Sequence, residues 1–128
     1  MIFGIGTDII SLERIAKSLA RNGDKFAQRI LADSEYSAYQ EKKTEKAQIA
    51  FLAKRFAAKE AISKALGTGM RNGIDFVQLV ISNDELGKPF VELTGKAKEW
   101  AEQHNISTIQ LTISDEQHYA VVFVVAEK

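Results

Sequence analysis

The chain has 128 residues, no cysteine, and 17 basic side chains balanced by 17 acidic ones. Those totals exclude a disulfide framework, a thiolate metal site and a cysteine nucleophile, and a hydrophobic share of 45% argues for a globular chain rather than a disordered one. The charge is unevenly spread, with thirteen Lys/Arg against seven Asp/Glu in residues 11–71 and three against seven in residues 84–116, so the first half favours an anionic ligand or partner.

A single domain over residues 1–128 is the expectation from length. The opening MIFGIGTDII is too short for a membrane span, is cut by Asp8, and lacks the basic leader and long apolar core of a signal peptide. A cytoplasmic protein that engages no membrane is therefore expected. Ile2 to Ile10 reads as a strand, with Phe3, Ile5, Thr7 and Ile9 on one face and Ile2, Gly4, Gly6, Asp8 and Ile10 on the other. Gly4 and Gly6 leave room beside Asp8 for another backbone or a ligand. The Gly-x-Gly lacks the third glycine and the strand–turn–helix setting of a dinucleotide fingerprint.

Ser11 caps a first helix to about Ala20, stopped by Asn22-Gly23. Leu12, Ile15 and Leu19 form its apolar side, and Arg14, Lys17 and Arg21 form a basic stripe that Lys25 and Arg29 continue. A short helix follows Asp33 through Tyr39, then a polar loop. A long helix opens near Thr44 and runs to about Leu66, where Gly67-Thr68-Gly69 begins a glycine-rich turn. Asp75 to Ser82 and Pro89 to Leu93 read as a hairpin. Thr94 caps a helix to about His104, Ile106 to Ser114 alternates as a strand, and His118 to Ala126 is apolar on both faces. Such a strand predicts helix cover on one face and another subunit, or more helix, on the other.

The long helix carries the chemistry. On a wheel of 100° per residue, Phe51, Leu52, Phe56, Ile62 and Leu66 share a face with Arg55 and Lys59, while Ala53, Ala57 and Ala61 share one with Glu60 and Lys64. A helix apolar or small on nearly every side is buried, so these charges call for a ligand. Asp8 and Glu60 are a carboxylate pair suited to magnesium, which takes one or two carboxylates and keeps waters and phosphate oxygens elsewhere. Lys64, one turn after Glu60, could reach a phosphate of the same ligand, and Arg55 and Lys59 could serve others. The bland alternative is a Glu60–Lys64 surface pair worth a few tenths of a kcal/mol.

Gly4-Ile5-Gly6-Thr7-Asp8 with Arg14, then Arg55-Phe56-Ala57-Ala58-Lys59-Glu60-Ala61 with Lys64 and Gly67-Thr68-Gly69, resembles the holo-[acyl-carrier-protein] synthases, the short, single-repeat members of the phosphopantetheinyl transferase family. Gly87-Lys88-Pro89 and the ending Ser114 to Ala120 extend the resemblance over nearly the full chain. It implies an α+β fold with a small antiparallel sheet packed on a long central helix, in subunits of a homotrimer with active sites between them. It implies transfer of 4′-phosphopantetheine from coenzyme A to a serine hydroxyl of apo acyl carrier protein, releasing adenosine 3′,5′-bisphosphate, in fatty acid biosynthesis. Magnesium would sit on Asp8 and Glu60, with Lys64 on the same phosphate oxygens. Arg55 and Lys59 are the candidates for the adenosine phosphates, with Gly67 beside the cofactor. Arg14, Lys17 and Arg21 would dock the acidic carrier.

Proton removal from the carrier serine falls to Glu60 or to a magnesium-bound water. The family commonly has a histidine in the turn after the penultimate strand; here stand Ser114-Asp115-Glu116, with His118 three residues further on, and no role is carried over to it. Two alternatives are weaker. A sister transferase for carrier domains of peptide or polyketide synthesis would be a longer, two-repeat chain. A nucleic-acid-binding module would interleave aromatics with its basic residues.

Overall fold

The computed structural model describes all 128 residues. The chain runs β1 (Ile2–Ser11), α1 (Leu12–Asn22), α2 (Asp24–Ile30), α3 (Asp33–Gln40), α4 (Glu45–Leu66), a 3-10 turn (Phe76–Gln78), β2 (Leu79–Asn83), β3 (Pro89–Leu93), α5 (Gly95–Gln103), β4 (Thr108–Asp115) and β5 (Tyr119–Glu127). It is an α+β arrangement with two antiparallel sheets, one three-stranded in the order β1-β5-β4 and one the β2-β3 hairpin. No helix is long and apolar enough to cross a membrane.

Helix α4 forms because its ends are chemically marked and its interior is rich in alanine. The Thr44 side chain accepts from the Ala47 N–H at its start, and Gly67, at φ 84°, closes its end in the left-handed conformation that glycine adopts without a Cβ penalty. Leu52, Ala53, Ala57, Ala58, Ala61, Ile62 and Leu66 are fully buried, which accounts for a sequence that is apolar or small around most of the helix.

The sheet lies on α4 through small residues. Gly4, Gly6, Asp8 and Ile10 of β1 stand in register with Ala126, Val124, Val122 and Ala120 of β5, and Ile10 and all four β5 residues are buried. A Cβ on Gly6 would lie 1.9 Å from the Ala61 carbonyl oxygen, and one on Gly4 would lie 2.2 Å from that of Ala65. The space that the sequence left open beside these glycines is thus filled by helix backbone. The opposite face of the same sheet is open: Ile5, Ile9, Tyr119, Val121 and Phe123 are all exposed there.

Three expectations are corrected. A register shift between Ile2 and Gly4 takes Phe3 off the face of Ile5, Thr7 and Ile9, and its ring meets His104 edge-on at 5.7 Å. Residues 24–30 form a helix where only a continuing basic series was read. Gly23, at φ 64°, ends α1 with its N–H on the Leu19 carbonyl and starts α2, which buries Phe26, Ala27 and Ile30. The hairpin's first strand begins at Leu79 rather than Asp75, because the Asp75 carboxylate accepts from the Phe76 N–H and turns the chain into a 3-10 turn.

The Gly6 contact sets an expectation for stability. Gly6→Ala is expected to cost about 1–3 kcal/mol, the usual range for overpacking, read as a lower urea midpoint. An unchanged midpoint would show that strand and helix do not press together there.

Candidate active site

Because Gly4 and Gly6 cross α4 at Ala65 and Ala61, the next inward residue of β1, Asp8, arrives beside the turn that carries Glu60 and Lys64. The Lys64 ammonium donates to the Thr7 carbonyl at 2.8 Å and lies 3.4 Å from Asp8 Oδ1. It therefore pairs across to the strand, and the bland Glu60–Lys64 helix pair does not form. The half-buried Glu60 carboxyl is held above the usual carboxylate range, first by burial and then by the negative charge of Asp8, while Lys64 and Arg14 pull it back. Two carboxylates and two cations from β1, α1 and α4 therefore share one electrostatic neighbourhood.

The donor set fits magnesium. Asp8 and Glu60 are hard oxygen ligands whose mutual repulsion a divalent cation would relieve, and no cluster of three or more His, Cys, Asp or Glu competes as a closed metal cage.

Lys59 has a different task from the one proposed for it. Its side chain is fully buried, and its ammonium donates to Glu35 Oε1 at 2.6 Å and to the Ile30 carbonyl at 2.7 Å. It does not reach a ligand from there. Glu35, on α3, also accepts from the N–H groups of Ala32 and Ile81. Arg55 approaches the same carboxylate, with Nε 3.3 Å from Oε2 at an angle that makes no hydrogen bond, and its guanidinium lies 4.6 Å from the Phe51 ring centre. Burial lowers the pKa of both cations, and the charge of Glu35 opposes that shift. Glu35 escaped the sequence reading: two cations on an apolar stripe announce a missing acid, but nothing in the spacing says which one.

Unlike Lys59, Arg55 borders an opening. With Lys42, Phe51, Lys54, Asn83 and Asp115 it lines a hollow of about 270 Å³, in which Asp115 lies 3.9 Å from the Lys54 ammonium. Gly67 is exposed, with open space where a Cβ would stand, and its N–H is donated to the Lys64 carbonyl, where it ends α4. The stripe on α1 is real: Arg14, Lys17 and Arg21 are exposed and border one polar trough, although Lys17 also pairs with Glu13 at 3.0 Å. His118 is exposed beside the start of α1, where its carbonyl accepts from the Leu12 N–H.

Comparison with known proteins gives these residues a context. A family model described as the 4′-phosphopantetheinyl transferase superfamily matches residues 4–124. The chain is 57% identical over 126 residues to a holo-[acyl-carrier-protein] synthase of Aliivibrio fischeri (strain MJ11), covering 98% of each chain. It is similar in structure to the holo-[acyl-carrier-protein] synthase of Neisseria meningitidis, with a TM-score of 0.93, 44% identity and full coverage of both chains. It is also similar to the enzyme of Bacillus anthracis in complex with CoA (3′,5′-ADP), with a TM-score of 0.82, 39% identity, and coverage of 98% of this chain and 96% of that one.

The buried cluster yields a prediction for stability. Glu35→Ala leaves two buried cations without their anion and is expected to cost about 3–5 kcal/mol. A urea or thermal midpoint close to that of the parent chain would mean the ion pair is not formed in solution.

Proposed function

The chain belongs to the 4′-phosphopantetheinyl transferase superfamily, and we propose that Asp8, Glu60 and Lys64 form the reacting end of a holo-[acyl-carrier-protein] synthase site. The enzyme transfers 4′-phosphopantetheine from coenzyme A to a serine hydroxyl of apo acyl carrier protein and releases adenosine 3′,5′-bisphosphate. The observation that carries the site assignment is the convergence of Asp8 and Glu60, 52 positions apart in the chain, with Lys64 bonded across to the strand. Residues 1–128 act as one transferase domain. Neither a two-repeat sister transferase nor a nucleic-acid-binding module is favoured by any feature of the structure.

In the reaction the serine oxygen bonds to the pantetheine-side phosphorus, the bond from that phosphorus to the bridging oxygen breaks so that this oxygen leaves on adenosine 3′,5′-bisphosphate, and the serine proton passes to the Glu60 carboxylate or to a water. Catalysis of such a step is chiefly positioning and charge neutralisation. Asp8 and Glu60 would hold magnesium, which when bound supplies positive charge to the pyrophosphate oxygens. The Lys64 ammonium, already turned toward Asp8, adds a second positive charge at the same place. Arg14 brings a third to the edge of the site and, with Lys17 and Arg21, presents the face that receives the acidic carrier.

The hollow at Arg55 takes the adenosine phosphates in this reading. Arg55 and Glu60 are five residues apart, which turns them about 140° from each other around the helix. One subunit's Arg55 hollow therefore serves a neighbour's Asp8–Glu60 site. Such an arrangement needs an oligomer, which we take to be a homotrimer. The open sheet face of Ile5, Ile9, Val121 and Phe123 is the surface suited to bring copies together.

Incubation with coenzyme A, magnesium and apo carrier is expected to add the mass of phosphopantetheine to the carrier. Asp8→Ala and Glu60→Ala should each lower that rate by at least on the order of a hundredfold; near-parental rates would overturn the assignment of the pair. Arg14→Ala is expected to raise the KM for carrier about two- to fivefold and to flatten its dependence on salt. An unchanged carrier KM would show that α1 is not the docking face. Sedimentation velocity should give a trimer, and a monomer at assay concentrations would remove the shared site.

A further inference from the structure

The Glu35 carboxylate is buried, yet it spans two environments. Oε1 faces inward and is occupied by the Lys59 ammonium and the Ala32 N–H. Oε2 faces the Ile81 N–H and the Arg55 guanidinium. Arg55 is in turn held on its other sides: Nη2 lies 3.5 Å from Asn83 Oδ1, and the guanidinium carbon lies over the Phe51 ring. Lys59 cannot leave this cluster and Arg55 stands at its border, where it lines the hollow with Lys42 and Lys54. A planar guanidinium fixed in this way is oriented before a ligand arrives, which reduces the ordering cost of binding.

We infer that Glu35 is a positioning residue for coenzyme A: the charge of its carboxylate, with Oε2 3.3 Å from Arg55 Nε, keeps the guanidinium at the hollow, so that Arg55 discriminates for the 3′-phosphate of the adenosine end. The inference rests on the reading of Arg55 as a phosphate contact. Glu35 touches no substrate, and its effect falls on the recognition of one phosphate rather than on the transfer step.

Dephospho-coenzyme A, which lacks only the 3′-phosphate, separates this role from a purely structural one. The measurement is the ratio of KM for dephospho-coenzyme A to KM for coenzyme A at saturating carrier. Arg55→Ala is expected to raise KM for coenzyme A about tenfold, the scale of one charge-assisted hydrogen bond, and to leave KM for dephospho-coenzyme A little changed. The double variant Glu35→Gln/Lys59→Met removes both charges of the buried pair, so no lone ammonium is left inside, and is expected to lose most of the same preference. Lys59→Met alone should lower stability and keep the preference.

If Arg55→Ala leaves the ratio intact, the phosphate reading of Arg55 fails, and the role of Glu35 fails with it. If Arg55→Ala collapses the ratio while the double variant unfolds cooperatively and retains it, the positioning role alone is overturned. Arg55→Lys tests the same point without touching the buried pair. It keeps the charge but not the planar guanidinium that lies between the Glu35 carboxylate and Asn83, and it is expected to lose more than half of the preference; full retention would overturn the inference.

Discussion

The close crossing of β1 over α4 is the constraint on which the remaining structure depends. Two glycines let a strand backbone touch a helix backbone, and no side chain can be interposed without moving one of them. That contact fixes the height of β1 along α4 and its rotation about its own axis, because strand side chains alternate. Once both are fixed, Asp8 faces the helix at the turn of Glu60. Asp8 and Glu60 are brought together by a place where side chains are missing. The same crossing lets Lys64 reach the Thr7 carbonyl, so the ammonium is tied to the strand backbone as well as to the acid beside it.

Helix α4 serves two kinds of charge, and burial separates them. Lys59 and, for the most part, Arg55 lie inside the protein, where a charge survives only with a partner and enough hydrogen bonds. Glu35 supplies both to Lys59 and the opposite charge alone to Arg55, and it links α3, α4 and β2 in doing so. Glu60 and Lys64 lie at the rim, half-buried and exposed respectively, where charges can exchange water or protein partners for a ligand. Neighbouring positions in one sequence motif therefore divide into a pair held inside the protein and a pair left at its rim, according to which side of the helix they leave.

Much of this was legible in the residues themselves. Thr44 and Gly67 mark the helix ends, Gly4 and Gly6 share a face with Asp8, and the hairpin around Gly87 follows from its turn residues. The proximity of Asp8 and Glu60 was legible because both acids stand among small residues, where a carboxylate has no packing reason to be. Other features depended on distant partners. The fate of Lys59 was set by Glu35, 24 residues earlier, and an isolated sequence window gives the same lysine equally to a ligand or to a buried acid. The helix over residues 24–30 is not visible in the sequence, because seven residues carry too few apolar positions to show a helical period before Phe56 is there to receive Phe26. Phe3 left its expected face because a bulge shifts strand parity, and parity is what alternation assumes.

The outer face of the three-stranded sheet has a consequence for the life of the chain before it reaches any partner. Five large apolar side chains from β1 and β5 lie together on one hydrogen-bonded surface, and the sheet cannot turn them inward without also turning Asp8 away from α4. A newly synthesised chain therefore finishes folding with an adhesive patch that the crossing of β1 over α4 obliges it to keep. Whatever covers that patch competes with indiscriminate association, and the outcome depends on how many chains are made at once.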